Sequence, residues 1–502
     1  MNAMHWRQIL HAAKTANMKR SLFFFLLSVG FPFLLYGQDI RSDSVLTVPE
    51  LVEHVMRNHP TAVRAGLRPA QAEAELRSAR GLFDPKAYGD WNHKSFDGKN
   101  YFRTGDFGLK AQTSIIGAQV KAGYKTASGI FLNPEANLPM EGQAFFGVEV
   151  PLVQGMFIDD QRAALRRAEI GQEIGAAERF QVLNDLAYQS ILAYVDWAVA
   201  YQQREVARDA LELIEERLEA TRESFFQGAN PGIDTLETFI QLQTQQLLLQ
   251  DAQLALEQAG IQLSYFLWGV QTPGQPPQDL IPDGILDENT PITWTTPERI
   301  ELGAEHPEIL AKQGKLAQLE VDRRLATEML KPQVNAAYTF LGDGLNFSGF
   351  PDSEQPLVNN LLMENFQWEI KASFPLFLRK ERGKLEQVRV KALDTEREID
   401  EKRRQIVNKV ENYYRQWSLA RRQQANYQRI VENYRRLVEA EREKFRLGES
   451  SVFLLNSRLQ KLVEAQLKAV QLQGKQQKFF YACWWSAGQL HDLLGMEQYV
   501  TQ

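Results

Sequence analysis

The chain has a single cysteine, Cys483, among 502 residues. An intrachain disulfide and a cysteine-based metal cluster are both excluded. Histidine is also scarce: His5, His11, His54, His59, His93, His306 and His491, with no H-x-x-x-H or other ligand spacing. No long basic run occurs and the formal net charge is −6, so nucleic acid is not an expected partner. A nucleophile elbow, a phosphate loop and a histidine pair are all missing. The sequence therefore offers no catalytic residue, no metal site and no cofactor site, and reads as non-enzymatic. Its 44% hydrophobic and 24% charged residues are ordinary for a folded protein. Its length suits two or three domains or one long repeated one.

Long apolar runs are missing after Gln38: no stretch of about 18 apolar residues exists there. If the mature chain crosses a membrane, it must do so as a closed β-barrel, because an open sheet edge in lipid leaves backbone groups unpaired. The exception is the N-terminus. "MKRSLFFFLLSVGFPFLLYGQD" begins at Met18, with Lys19 and Arg20 before an apolar Ser21–Leu35 and a small Gly37 before Gln38. This is the layout of a secretory signal peptide, so residues 1–37 are expected to be leader and signal. Residues 1–17 are then either extra leader or a start placed too early.

What is present is a repeat. "NHPTAVRAGL" (58–67) and "EHPEILAKQG" (305–314) say nearly the same thing. Pro60 and Pro307 suit the first turn of a helix, where the missing N–H costs nothing. In both copies another proline, Pro85 or Pro332, follows 25 positions later. His59 and His306 are expected to mark these helix starts rather than to do chemistry.

After each second proline the hydrophobic period changes to two. "FQWEIKASF" sets Phe366, Trp368, Ile370, Ala372 and Phe374 against Gln367, Glu369, Lys371 and Ser373. "QVNAAYTF" and "AFFGVEV" alternate similarly, the first with Val334, Ala336, Tyr338 and Phe340 on one face. Such alternation suits a barrel strand or a half-buried strand of a soluble sheet. Both stretches stop at a proline, in "VPL" (150–152) and "FPL" (374–376), which cannot donate to a ladder. Two strands are counted in each copy, four in the chain. The first copy is about 23 residues longer near "KAQTSIIGAQVKAGYKT", the size of an additional hairpin.

Each copy then becomes one very long helix, 160–226 and 383–446. The second carries a heptad seam: Ile406, Val410, Tyr413, Trp417, Ala420, Gln424, Tyr427, Val431, Tyr434, Val438, Glu441, Phe445. Gln424 and Glu441 are its two polar members. About 64 residues at 1.5 Å each would reach roughly 95 Å. Phe225 and Phe445 each precede a glycine by three positions, and Gly228 and Gly448 supply the left-handed residue that stops a helix. Return helices are expected at 233–267 and 452–494. The Pro/Gly-rich 270–297 reads as a linker or equatorial segment. The first repeat is then 38–269, with strands about 86–151, and the second 298–502, with strands about 333–375.

The doubled order resembles the TolC-like outer-membrane efflux protein family over essentially the whole mature chain. The resemblance rests on the "FDP" and "KP" approaches, the "VPL" and "FPL" exits and the F-x-x-G tips together. It implies a mostly α fold with a small β portion. Long antiparallel coiled-coil hairpins form an α-barrel joined to a transmembrane β-barrel that trimerisation completes, twelve-stranded in the family. It implies a homotrimer in the outer membrane of a Gram-negative-type cell, its tunnel extending into the periplasm. A periplasmic adaptor and an inner-membrane pump would be its partners and outer-membrane lipid its surroundings.

On that resemblance Val334, Tyr338, Phe366, Trp368 and Ile370 face lipid, and Glu149, Glu369 and Lys371 face the lumen. Phe225, Gly228, Asp234, Glu237, Phe445, Gly448 and Glu449 form the periplasmic tip, where the adaptor docks and the aperture closes. Relatives often carry acidic residues after the second tip glycine. Here "ESSVFLLNSR" has Glu449 alone, so a ring would need Asp234, Glu237 or Glu449. Equally, these acids suit the N-terminal dipole of a return helix. The rival reading is a soluble periplasmic coiled-coil scaffold or adaptor, though an adaptor normally has one hairpin beside compact β domains. The cargo is not legible.

Overall fold

The computed structural model describes residues 45–134, 137–228, 231–270, 274–275, 280–283, 292–295, 298–299, 301, 306–342 and 365–495. The expected signal peptide and most of the linker lie outside these residues.

The first repeat starts with a two-residue strand β1 (Val45–Leu46) and helix α1 (Val48–Asn58). Thr47 and Glu50 form a capping box: the Thr47 hydroxyl accepts the Glu50 N–H at 3.3 Å, and the Glu50 carboxylate accepts the Thr47 N–H at 3.0 Å. Helix α2 (Pro60–Arg80) leads to four strands, β2 (Lys86–Phe96), β3 (Lys99–Gln112), β4 (Gln119–Ser128) and β5 (Gln143–Pro151). Helix α3 (Asp160–Phe226) and its return α4 (Gly232–Ser264) complete the copy. Strand β6 (Ile281–Pro282) falls in the linker and pairs in parallel with β1. The second repeat has α5 (Pro307–Glu328), β7 (Gln333–Gly342), β8 (Phe366–Ser373), α6 (Arg379–Arg446), α7 (Val452–Ser486) and the short α8 (Leu490–Leu494).

Several helix boundaries differ from those the sequence suggests: α6 begins at Arg379 rather than 383, and α4 at Gly232 rather than 233. The first return helix stops at Ser264 rather than 267. The second stops at Ser486 rather than 494, because Gly488 takes φ +73° and turns the chain before α8. There a Cβ would meet the Pro307 ring at 2.9 Å and the His306 imidazole at 3.2 Å, so the turn packs against the start of α5.

The strand count is the main correction. Both repeats feed one six-stranded antiparallel sheet in the order β2-β3-β4-β5-β7-β8. The first repeat gives this sheet four strands and the second two, so among the described residues it has six rather than the four expected. The additional hairpin was hard to see because the apolar faces of β2, β3 and β4 rely on small residues, such as Ala87, Gly89, Gly105, Ala111 and Ala122. A barrel strand gives a weak hydropathy signal at best. Between β2 and β3, Asp97 and Gly98 both take positive φ, as a two-residue hairpin turn demands.

The helices pack as two hairpins side by side. In the α6 seam Ile406, Val410, Trp417, Ala420 and Val438 are buried, and so are the two polar members Gln424 and Glu441. Between the hairpins, α3 and α7 come so close that a Cβ on Gly474 would lie 2.2 Å from a Val199 methyl. One helical turn or more further along, Trp485 stacks on Tyr188 at 4.3 Å and donates its indole N–H to Asp185 at 2.6 Å. Burial holds the Asp185 carboxyl above its usual range although that hydrogen bond pulls the other way. The Tyr194 hydroxyl donates to the Leu46 carbonyl at 2.7 Å and accepts the Asp283 N–H at 3.2 Å. It thereby ties the paired short strands β1 and β6 to α3.

Candidate functional site

The sheet separates its residues into two chemically distinct faces, since side chains alternate along every strand. Directly opposed pairs share a face. Val334 opposes Ala372, Ala336 opposes Ile370, Tyr338 opposes Trp368 and Phe340 opposes Phe366. The same face continues through Phe146 and Val148, then Val120, Ala122 and Tyr124, then Phe107 and Leu109, and reaches Ala87 and Trp91. Val334, Tyr338, Phe366, Trp368 and Ile370 therefore sit together on one apolar surface. Its large members are open: Trp368 is 65% exposed, Ile370 59% and Trp91 57%. An apolar surface this continuous signals a membrane or a partner. No helix among the described residues is long and apolar enough to cross a membrane.

The opposite face is polar. Glu149 opposes Ala337, which opposes Glu369, and Lys371 opposes Asn335. Glu149 accepts from Lys121 at 3.0 Å and from the Asn335 amide at 3.1 Å, while Lys371 pairs with Glu369 at 2.8 Å. The structure thus brings Glu149, Glu369 and Lys371 onto one surface, in two separate ion pairs. Sequence reasoning missed most of what joins them there. Lys86, Asp90, Lys94, Asp106, Lys110, Lys121 and Lys125 share the face, and Lys125 lies 4.0 Å from Asp106. The alternation of "QVKAGYKT" was the available signal. Where this face meets the helices there is a cleft of about 320 Å³, lined by Gln112, Gln119, Glu149, Gln154, Asp159 and Asn335. Asp159 caps α3 through the Arg162 N–H at 2.8 Å and pairs with the Arg162 guanidinium at 3.0 Å.

The hairpin tips lie at the other ends of the long helices. Gly228 has φ +77° and Gly448 φ +76°. Their N–H groups donate to the Phe225 and Phe445 carbonyls at 2.9 and 3.0 Å, and the Glu449 N–H reaches back to the Lys444 carbonyl at 2.9 Å. Carbonyls left over at the helix end are thereby satisfied. Phe225 is 43% exposed, and its ring lies against Gly232. Phe445 is half-buried against Val438, Leu455 and Leu459, where Leu213 of the other hairpin also packs.

The seven tip residues do not converge on one point. Phe225, Gly228, Asp234 and Glu237 belong to the first hairpin, and Phe445, Gly448 and Glu449 to the second. The Arg217 guanidinium, 6.0 Å from the Phe445 ring centre, bridges them. Burial, with Arg442 nearby, pushes the Arg217 pKa down to about 10, and Glu237 offsets part of this. Asp234 lies in the first turn of α4, where a carboxylate complements the helix dipole. Glu449 is exposed, whereas Glu441, one of the polar seam positions, is buried and accepts from the Ser450 hydroxyl at 2.5 Å. Its break in the apolar heptad was the signal for it. No group of three or more His, Cys, Asp or Glu side chains that could hold a metal occurs among the described residues.

Residues 301–479 match the family model described as outer membrane efflux protein. No curated protein matches the chain in sequence. The solved outer-membrane channel OprN superposes with a TM-score of 0.62 at 16% identity, covering 88% of this chain and 89% of that one. The outer membrane protein VceC of Vibrio cholerae gives 0.61 at 13% identity, covering 88% and 96%. The CmeC outer membrane channel of Campylobacter jejuni gives 0.59 at 13% identity, covering 90% and 89%. At these identities the likeness is one of fold. Residues 301–479 thus match the outer membrane efflux protein model, and the chain as a whole has the fold of these solved outer-membrane channels.

Proposed function

We propose that this chain, as a homotrimer, is the outer-membrane duct of a tripartite efflux or secretion system. The observation that carries the reading is the sheet: one face apolar and exposed, the other polar, standing at the end of two very long helical hairpins. With 67 and 68 residues, α3 and α6 would each reach about 100 Å at 1.5 Å per residue. A soluble scaffold or adaptor has no use for a sheet that exposes Trp91, Phe107, Leu109, Trp368 and Ile370 on one face.

Among the described residues β2 and β8 each pair on one side only. Open edges are untenable in lipid, and six strands are too few for a wet barrel. Three copies joined β8 to β2 would close eighteen strands, wider than the twelve that four strands per chain would give. Val334, Tyr338, Phe366, Trp368 and Ile370 then face lipid, while Glu149, Glu369 and Lys371 line the lumen. The helices of both repeats form the periplasmic tunnel, with strands β1 and β6 at its equator, and residues 1–37 serve export.

The tips would meet a periplasmic adaptor and, through it, an inner-membrane pump. Phe225, Gly228, Asp234, Glu237, Phe445, Gly448 and Glu449 are the proposed contact and aperture residues. Exposed Phe226, Leu447 and Phe453 add an apolar surface there. Cell fractionation tests the reading. The protein should stay with outer membranes through salt and alkaline washes and come out only in detergent. Recovery in the soluble periplasmic fraction would sink the duct and favour the scaffold.

A further inference from the structure

Strands β2 to β4 bring most of the positive charge to the polar face. On the six strands this face carries six lysines, Lys86, Lys94, Lys110, Lys121, Lys125 and Lys371, against four carboxylates, Asp90, Asp106, Glu149 and Glu369. A chain with a formal charge of −6 thus carries one net positive sheet face.

The excess is concentrated in one row. Lys86 directly opposes Lys110, and Lys110 directly opposes Lys121. Directly opposed side chains have Cβ atoms about 5 Å apart, and like charges there are destabilising. Lys121 is relieved by Glu149 at 3.0 Å. Lys86 and Lys110 are exposed and have no ion-pair partner among the described residues; the Lys110 ammonium lies 5.5 Å from the Tyr88 ring centre. The nearby Asp159 is already engaged by Arg162. Lys86 is the first residue of β2, Lys110 is near the end of β3 and Lys121 near the start of β4. The row therefore lies where the sheet meets the helices.

Resting on the duct reading, we propose that Lys86 and Lys110 of each copy form an anion-attracting belt at the junction of barrel and tunnel, so that the duct selects for anionic solutes. Rings of charged side chains set the sign of the ion a pore admits, and a low-dielectric wall strengthens the effect. Two uncompensated lysines per chain become six in the trimer. Small carboxylate- or phosphate-bearing solutes are the class such a belt would favour.

The test is ion selectivity of the purified full-length protein in planar bilayers under a potassium chloride gradient. The native channel should pass chloride in preference to potassium. The double variant Lys86→Gln/Lys110→Gln should keep its conductance and lose at least about half of that preference. Lys86→Glu/Lys110→Glu should invert it. A native channel that is unselective or prefers potassium would overturn the belt and leave the duct standing, as would a Gln variant with unchanged selectivity. Folded protein that inserts and shows no conductance at all would overturn the duct, and the belt with it.

Discussion

His59 and His306 hold the same post in the two repeats. Each is the N-cap of a helix that a proline opens, and each accepts a backbone N–H two residues on through Nδ1, from Thr61 and from Glu308, at 3.2 Å in both cases. Only a neutral imidazole can accept there. Both rings are buried, His59 among Tyr265, Phe266 and Trp268 at the end of α4, and His306 beside the Gly488 turn after α7. Each histidine thus locks the start of its repeat onto the end of that repeat's return helix.

The pH dependence of stability follows. Burial, with Lys409 and Lys402 nearby, lowers the His306 pKa from 6.5 to about 4, against a smaller opposing pull from Glu308; burial lowers that of His59 as well. Between those values the unfolded imidazole is protonated and the folded one is not. The stabilisation is thus complete above pH 6.5 and is lost as pH falls toward 4. For His306 it amounts to about 3 kcal/mol. His306→Asn keeps a capping side chain without the titration. Thermal unfolding in detergent across pH 4–7 should show a shallower slope for this variant than for the native protein. Equal slopes would contradict the assignment.

At the tips, Gly228 and Gly448 have left-handed backbones and no atom within 4 Å of a Cβ position. A side chain there costs conformational energy alone. Gly448→Ala should destabilise the tip by about 1 kcal/mol, and Gly448→Asn by less. Limited proteolysis should show earlier cleavage near residue 448 in the alanine variant; resistance equal to native would show that the turn does not hold the hairpin.

Arg217 is a half-buried cation whose two terminal guanidinium nitrogens are shielded from solvent and find no hydrogen-bond partner. Such a charge is costly unless paired. Arg217→Met keeps the stem packed on the Phe445 side and removes the charge. It should raise the midpoint of thermal unfolding by about 2–4 °C. A fall of that size would mean that another copy supplies a carboxylate.

The two sheet faces should respond oppositely to charge. Ile370→Arg places a cation on the apolar face and should cost about 2–4 kcal/mol if that face meets lipid near mid-depth. Membrane-assembled trimer, measured by its migration in mild detergent before heating, should disappear. Glu369→Gln, one residue away on the polar face, should leave trimer yield near native. Equal losses from both would refute the division of faces.

Much of the fold class was legible, because a heptad seam running from Ile406 to Phe445 with no glycine or proline can only be a long helix. The second-repeat strands were legible where period two is written in large residues, as in Phe366, Trp368 and Ile370. Strands β2 to β4 were not, since Gly89, Gly105 and Ala122 carry almost no hydropathy signal although they occupy the same face. The polar face was seen only in part for the same reason. Glu149 was found through its alternation with Phe146 and Val148, but Lys86 and Lys110 acquire meaning only when strand pairing sets them opposite one another. Tip residues could be located by their glycines, while Glu441 and Arg217 lie a helical turn or more away and meet the tip only through packing between helices.

A duct made of several copies of this chain has a distinctive shape. Electron cryomicroscopy of the detergent-extracted protein, viewed down its long axis, tests it most directly. A threefold particle is expected, with one continuous lumen, eighteen strands at one end and the helical hairpins along its length. A particle of one copy, or one whose six-stranded sheet remains open, would contradict it.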